Sequence, residues 1–191
     1  MTDFDVISKL KSTVDCKIST DISDLEIYGT DWTREFTPKP LAVVFPNTVE
    51  DVRKIVLFAN ENKVALTPSG GRTGLSAGAV ATNYELIVSF EKMNKVLSFN
   101  QVDQTLVVEA GITTKEIQEY ALERRLFYPV DFSSAGSSQI GGNIATNAGG
   151  IRVIRYGSTR SWIKGIKVIT GKGDVLELNK GLTKNATGYD L

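Results

Sequence analysis

LAVVFPNTVEDVRKIVLFANENKVALTPSGGRTGLSAGA, residues 41–79, is the stretch on which the fold turns. Leu41 to Phe45 is a short apolar run rich in β-formers. Thr48 and Asp51 then stand at capping-box spacing, and Val49, Val52, Ile55, Val56 and Ala59 repeat at helical period. VALTP, residues 64–68, is a second β-rich run. Strand, helix and strand joined by short links form a βαβ unit, which makes the two strands parallel. The segment from Thr67 to Ala79 is less ordinary: it holds four glycines, a proline and two serines, and no acidic residue.

Outward from this unit the character changes. LIVSF (86–90) is another strand. KVLSFN (95–100) and TLVVEA (105–110) flank the turn-like QVDQ and predict a hairpin. TTKEIQEYALERRL predicts a helix from about Thr113, and IKGIKVIT and VLELN flank GKGD as a second hairpin. Upstream, Phe4, Ile7, Leu10 and Val14 repeat at helical spacing behind a Thr2 to Asp5 capping pattern. The expected class is α+β: a helical lead-in over 1–35, a small parallel α/β subdomain over about 36–92 and a more antiparallel α+β subdomain over about 93–191. Tyr28 and Trp32 precede the sheet and are expected to pack over it or into plain core.

Composition narrows the function. The 191 residues carry 22 basic and 22 acidic side chains, so no global field draws the chain to nucleic acid or anionic lipid. Cys16 is alone, which excludes an intrachain disulfide and a cysteine-rich metal site. With no metal site recognisable and no apolar stretch long enough to span a bilayer, a reducing, cytoplasmic location is expected, with peripheral membrane attachment of a longer form left open. The Asn-Ala-Thr sequon at Asn185 is read as chance. Histidine is absent altogether, which removes the commonest general base near neutral pH.

A second segment, GSSQIGGNIATNAGG from Gly136 to Gly150, matches the first in glycine and small polar residues. Glycine admits positive φ and has no Cβ, so successive N–H groups can converge on an anion. Neither Asp nor Glu occurs between Glu61 and Glu85 or between Asp131 and Asp174, and the second window also holds Arg152, Arg155, Arg160, Lys164, Lys167 and Lys172. Two such segments in acid-free windows point to a pyrophosphate. GGRTG is not the G-x-G-x-x-G of a dinucleotide-binding turn, and GKGD lacks the upstream glycine of a P-loop.

PSGGRTGLSAGAV, YPVDFSSAGSSQIGGNIATNAGG, RYG at 155–157 and KNATGYDL at 184–191 together resemble the ordered motifs of the FAD-linked D-2-hydroxy-acid dehydrogenases. These are the D-lactate dehydrogenase, glycolate oxidase flavin subunit and D-2-hydroxyglutarate dehydrogenase group, built on the p-cresol methylhydroxylase-type FAD-binding fold. The resemblance runs from about Asp31 to Leu191. It implies noncovalent FAD, since covalent relatives link it through histidine or tyrosine, the chain has no histidine, and no linking tyrosine is expected in this domain. It implies that Pro68, Gly70, Gly71, Arg72, Thr73, Gly74 and Leu75 wrap the pyrophosphate. It assigns Pro129, Gly136, Ser137, Gly141, Gly142, Asn143, Thr146, Asn147 and Gly149 to the ribityl chain and isoalloxazine. Apart from the resemblance, the charges of Arg152, Arg155 and Arg160 suit an anionic flavin, with a solvated surface face the favoured reading for Arg160 and Lys164. Ser133, Ser134 and Ala135 depart from the Gly-Ala-Lys or Gly-Ala-Arg of many relatives.

The activity implied is oxidation of a D-2-hydroxy acid, with the C2 hydride passing to flavin N5. Relatives continue past TGYDL with a further flavin-contacting strand and a substrate-binding cap domain. This chain is therefore expected to be an N-terminal portion, inactive alone, with catalytic residues beyond it. A quinone, an electron-transfer protein or oxygen would take the electrons. Alternatives are an oxidase of another alcohol on the same fold, and a noncatalytic module acting with a second chain.

Overall fold

The computed structural model describes residues 3–179; Thr2 and the KNATGYDL motif, with Asn185, lie outside the described residues. The first half is one four-stranded sheet. Its strands are β1 (Lys17–Ser19), β2 (Ala42–Phe45), β3 (Leu66–Ser69) and β4 (Leu86–Ser89), in the order β1-β2-β4-β3. The strands of the βαβ unit are parallel as expected, but they do not touch. β4 lies between them, parallel to both. β3 is thereby left at the edge, where the missing N–H of Pro68 is tolerated.

Both faces of this sheet are covered, which is why β2 and β4 read as unbroken apolar runs rather than alternating ones. On one face, α1 (Asp3–Thr13) and α3 (Val49–Asn62) bring Val6, Leu10, Ile55 and Phe58 onto Ala42, Val44, Leu86 and Val88. On the other, Leu25 and Tyr28 of α2 (Ile22–Tyr28) close over Val43, Phe45 and Ile87. The Thr48 capping box forms as expected: the Thr48 hydroxyl accepts from Asp51 N–H at 3.1 Å, and the Asp51 carboxylate from Thr48 N–H at 3.0 Å.

The lead-in 1–35 is part of this body. Val6, Leu10, Val14 and Cys16 lie in the main core, and β1 pairs antiparallel with β2. β1 and α2 leave no periodic trace in the sequence, because a strand of three residues and a helix of seven are too short for periodicity to reveal.

The second half holds the two expected hairpins. β5 (Val96–Asn100) pairs with β6 (Thr105–Val108), and β7 (Ile166–Ile169) with β8 (Val175–Leu178), both antiparallel. Ile117 of α4 (Thr114–Glu123) and Ile140 of α5 (Ile140–Ala145), with Ile112 just ahead of α4, pack against the first hairpin. The GKGD turn is a hairpin turn, with Gly173 at φ +87, and it also docks on α3. Asn60 donates to the Gly171 carbonyl at 2.7 Å and Arg53 to that of Gly173 at 3.2 Å.

α5 corrects one expectation. The Gly141 and Gly142 stretch, expected as a nest of loop amides, is a helical turn, and its glycines concealed it because each is less favourable than Ala in a helix by about 0.5–1 kcal/mol. Gly141 is needed there for contact: a Cβ on it would lie 2.9 Å from Ala110 Cβ.

Candidate functional site

The two glycine-rich segments meet. An added Cβ on Gly71 would stand 2.0 Å from the Ser137 carbonyl oxygen and 2.9 Å from Ser138 Cα, so the backbones touch where the first loop leaves β3. Gly70 faces the side chain of Gln139, whose Oε1 lies 3.5 Å from a Cβ placed there. That oxygen is buried without a hydrogen-bond partner. Sequence reading did not single out Gln139. Its place between the two segments follows from the Thr113–Gln139 bridge and from Thr114 N–H donating to the Ser138 carbonyl at 2.9 Å, neither of which is a local pattern.

The first loop is short of internal bonds. Among the described residues, no N–H of residues 70–76 donates to a protein acceptor, and the next donor along the chain is Ala77. None of the loop's glycines has positive φ; Arg72 (φ +55) and Ala77 (φ +58) take the left-handed conformation instead. Gly74 stands in open space, with no atom within 4 Å of a Cβ placed on it, and so does Gly142 on α5. A run of unbonded amides, open ground at both glycines and an unpartnered carbonyl oxygen together fit a phosphate-bearing cofactor with polar hydroxyls.

The other site residues divide into two groups. Pro68 lies exposed in β3, and Arg72, Thr73 and Leu75 line the loop, with the Arg72 guanidinium donating to the Gly70 carbonyl at 3.0 Å and lying 4.6 Å from the Tyr28 ring centroid. Gly136 and Ser137 form an exposed turn, and Thr146 caps the end of α5. Three others are held by the protein itself. Pro129 is fully buried. Asn143 turns its amide inward, donating to Thr114 Oγ1 at 2.7 Å and accepting from Ser138 Oγ at 3.0 Å. Gly149 packs on Val153, 3.3 Å from a Cβ built at the glycine.

Asn147 sits at φ +46 and accepts from the Arg160 N–H at 3.0 Å. Asn147→Leu is therefore expected to lower stability by about 2 kcal/mol. A branched side chain is disfavoured in that conformation by roughly 1–2 kcal/mol, and the bond is lost as well. Urea unfolding checks this; an unchanged midpoint would leave Asn147 no part in the fold.

The acid-free windows do not survive folding as acid-free surroundings. Asp31 reaches the first loop and Asp131 the second segment, where it pairs with Arg152 at 3.2 Å and its carbonyl accepts from Ile151 N–H. Burial acts to raise the Asp31 carboxyl, but hydrogen bonds from Thr33 and Ala77 outweigh it and hold the group below its ordinary range. Burial, and then the hydrogen bond donated to Glu91, pushes the Tyr28 phenol up to about 12, while burial alone takes Tyr128 to about 12. Arg155 lies over the Tyr156 ring, and a hollow of about 500 Å³ between Phe127, Ile154, Arg152 and Arg155 contains none of the glycine-segment residues.

Among the described residues, no cluster of three or more His, Cys, Asp or Glu side chains can hold a metal, and no helix is long and apolar enough to cross a membrane.

A parallel α/β layer joined to antiparallel hairpins through two glycine segments is the arrangement of a flavoprotein cofactor domain. The chain belongs to the family of FAD binding domains, which matches residues 40–179. It is 60% identical, over the whole chain, to a D-2-hydroxyglutarate dehydrogenase of Stutzerimonas stutzeri, of which it covers 41%. It is 38% identical to the mitochondrial D-2-hydroxyglutarate dehydrogenase of Bos taurus over 98% of the chain and 34% of that protein. The chain thus spans less than half the length of these curated relatives. Among solved structures, an alkyldihydroxyacetonephosphate synthase superposes with a TM-score of 0.85 at 20% identity, over 97% of this chain and 37% of that one. A chitooligosaccharide oxidase does so at 0.77 and 20%, over 92% and 37%. These likenesses show the fold, a p-cresol methylhydroxylase-type α+β architecture.

Proposed function

We propose that this chain is the FAD-binding portion of a flavin-dependent dehydrogenase acting on a D-2-hydroxy acid, with D-2-hydroxyglutarate as the substrate. The 60% identity along the whole chain to a D-2-hydroxyglutarate dehydrogenase carries this reading, ahead of lactate or glycolate. Bound FAD supplies the acceptor for the C2 hydride of the hydroxy acid. The chain's own part is to hold and orient that cofactor.

In this reading residues 36–92 and 93–191 are the two subdomains, and the cofactor lies between them without a covalent link. The unbonded N–H groups of 70–76 receive the pyrophosphate, with Gly74 giving its oxygens close approach to backbone. Gly136, Ser137, Gly142, Thr146 and Gln139 face the remainder. Pro129 and Asn143 set the shape of the second segment from behind rather than touching the flavin.

Gly74→Val tests the pyrophosphate assignment cleanly, because a Cβ placed there has no atom of the described residues beyond its chain neighbours within 4 Å. FAD affinity is expected to fall at least tenfold while the unfolding temperature stays at the wild-type value. Unchanged FAD binding would remove the loop from the site. Dye reduction with D-2-hydroxyglutarate, D-lactate and glycolate, assayed on the full-length protein, tests the substrate. Absence of turnover with all three favours a noncatalytic module.

A further inference from the structure

We propose that Tyr28, Gly29 and Asp31, just ahead of the region that matches the cofactor family, form a clasp that holds the first glycine loop in its cofactor-receiving shape, with Asp31 as a positioning residue. The inference rests on the reading of residues 70–76 as the pyrophosphate loop.

The clasp touches the loop at four places. At its start, Ser69 Oγ donates to the Tyr28 carbonyl at 3.4 Å. Next, the Arg72 guanidinium lies over the Tyr28 ring, whose hydroxyl is tied to Glu91. In the middle, the Ala77 N–H donates to Asp31 Oδ2 at 2.9 Å. At its end, the Ala81 N–H donates to the Gly29 carbonyl at 3.1 Å. The fit around Gly29 is close: a Cβ would stand 2.6 Å from the Leu25 carbonyl oxygen and 2.7 Å from Pro38 Cβ.

Asp31 is the least replaceable of these. It is 6% exposed, and its second oxygen accepts both the Thr33 N–H at 3.0 Å and the Thr33 hydroxyl at 2.5 Å. Three donors therefore enclose the carboxylate. Ala77 is a non-glycine residue at φ +58, a conformation that needs an outside partner to persist. Because the amides from 70 to 76 donate to no acceptor among the described residues, the loop has no ladder of its own there, and its shape is set by what grips it. A loop shaped in advance loses less freedom when the cofactor arrives, and the saving appears as affinity.

Asp31→Asn replaces an acceptor by a donor opposite the Ala77 N–H, or swings the amide and abandons Thr33. Amide exchange at Ala77 in the FAD-free protein is expected to quicken at least tenfold, with core amides of Val43 and Ile87 unchanged. The dissociation constant for FAD, read from flavin fluorescence quenching, is expected to rise about tenfold. Ala77→Gly in the Asp31→Asn background is expected to recover most of that loss, since glycine takes the left-handed conformation unaided; a purely structural Asp31 would not be rescued from position 77. Should Asp31→Asn fail to fold, Ala77→Val disturbs the same contact from the other side and is expected to weaken FAD comparably.

Faster exchange at Ala77 with unchanged FAD affinity overturns the proposal, and so does unchanged exchange. Wild-type FAD affinity in Gly74→Val would instead defeat the assignment of the loop, whatever Asp31 does.

Discussion

Gly71→Val is expected to abolish FAD retention and to destabilise the protein itself. The atoms that a side chain at 71 would meet are all backbone: the Ser137 carbonyl oxygen at 2.0 Å, its carbon at 2.8 Å and Ser138 Cα at 2.9 Å. None of these can swing aside as a side-chain end can. Overpacking in a yielding core costs about 1–3 kcal/mol, and a backbone obstacle places this variant at or above the top of that range. The two segments must part, and the loop of residues 70–76 then loses its place beside Ser137 and Gln139. FAD affinity is expected to fall at least a hundredfold, measured as loss of visible flavin absorbance after desalting, together with a lower unfolding temperature. A yellow protein of wild-type stability would show that the segments do not meet at Gly71. Set beside Gly74→Val, the pair separates a glycine required by a neighbouring strand of protein from one that leaves room for a ligand.

The 191-residue chain, given excess FAD, is expected to show no oxidation of D-2-hydroxyglutarate or D-lactate above the free-flavin control. Oxidising the hydroxyl carbon requires a group to take the hydroxyl proton, and a positioned general base contributes about 10² to 10⁴ in rate. The chain has no histidine. Near the glycine segments, Asp31 is enclosed by Thr33 and Ala77 and held low, Asp131 is paired with Arg152, and the Tyr28 and Tyr128 phenols are raised to about 12. Neither Asp31, held ionised and enclosed, nor the raised Tyr28 and Tyr128 phenols, which stay protonated, is poised to accept a proton near neutral pH. Dye-coupled turnover well above the flavin control would place the base within these residues after all.

Much of the architecture was legible because it is written in local order. The Thr48 capping box, the apolar period of α3, the helix from about Thr113 and the QVDQ and GKGD turns each act within a few residues, and each formed as expected. The insertion of β4 between β2 and β3 was not legible, since strand order is decided by packing between distant segments. The site was legible in outline only. The glycines marked the right segments, but the physical demand at Gly71 and Gly141 is the close approach of other protein atoms, Gly150 combines such approach with φ +81, and in the first loop the left-handed turns fell to Arg72 and Ala77. Charge depletion along the sequence did not become depletion in space, because Asp31 arrives from 46 residues upstream of the amide it meets. Gln139 and Asp31 carry no local signature beyond the Asx turn of Asp-Trp-Thr.

The docking of the Gly171 to Gly173 turn on α3 ties distant parts of the chain together. Arg53 and Asn60 reach the turn's carbonyls across 120 and 111 residues of sequence, and a Cβ on Gly173 would stand 2.7 Å from Leu57 Cδ2. The β7–β8 hairpin is therefore held from outside its own ladder, by the helix that also sends Ile55 and Phe58 into the core of the parallel sheet. Loss of the Asn60 amide would loosen the hairpin's turn while leaving that core in place.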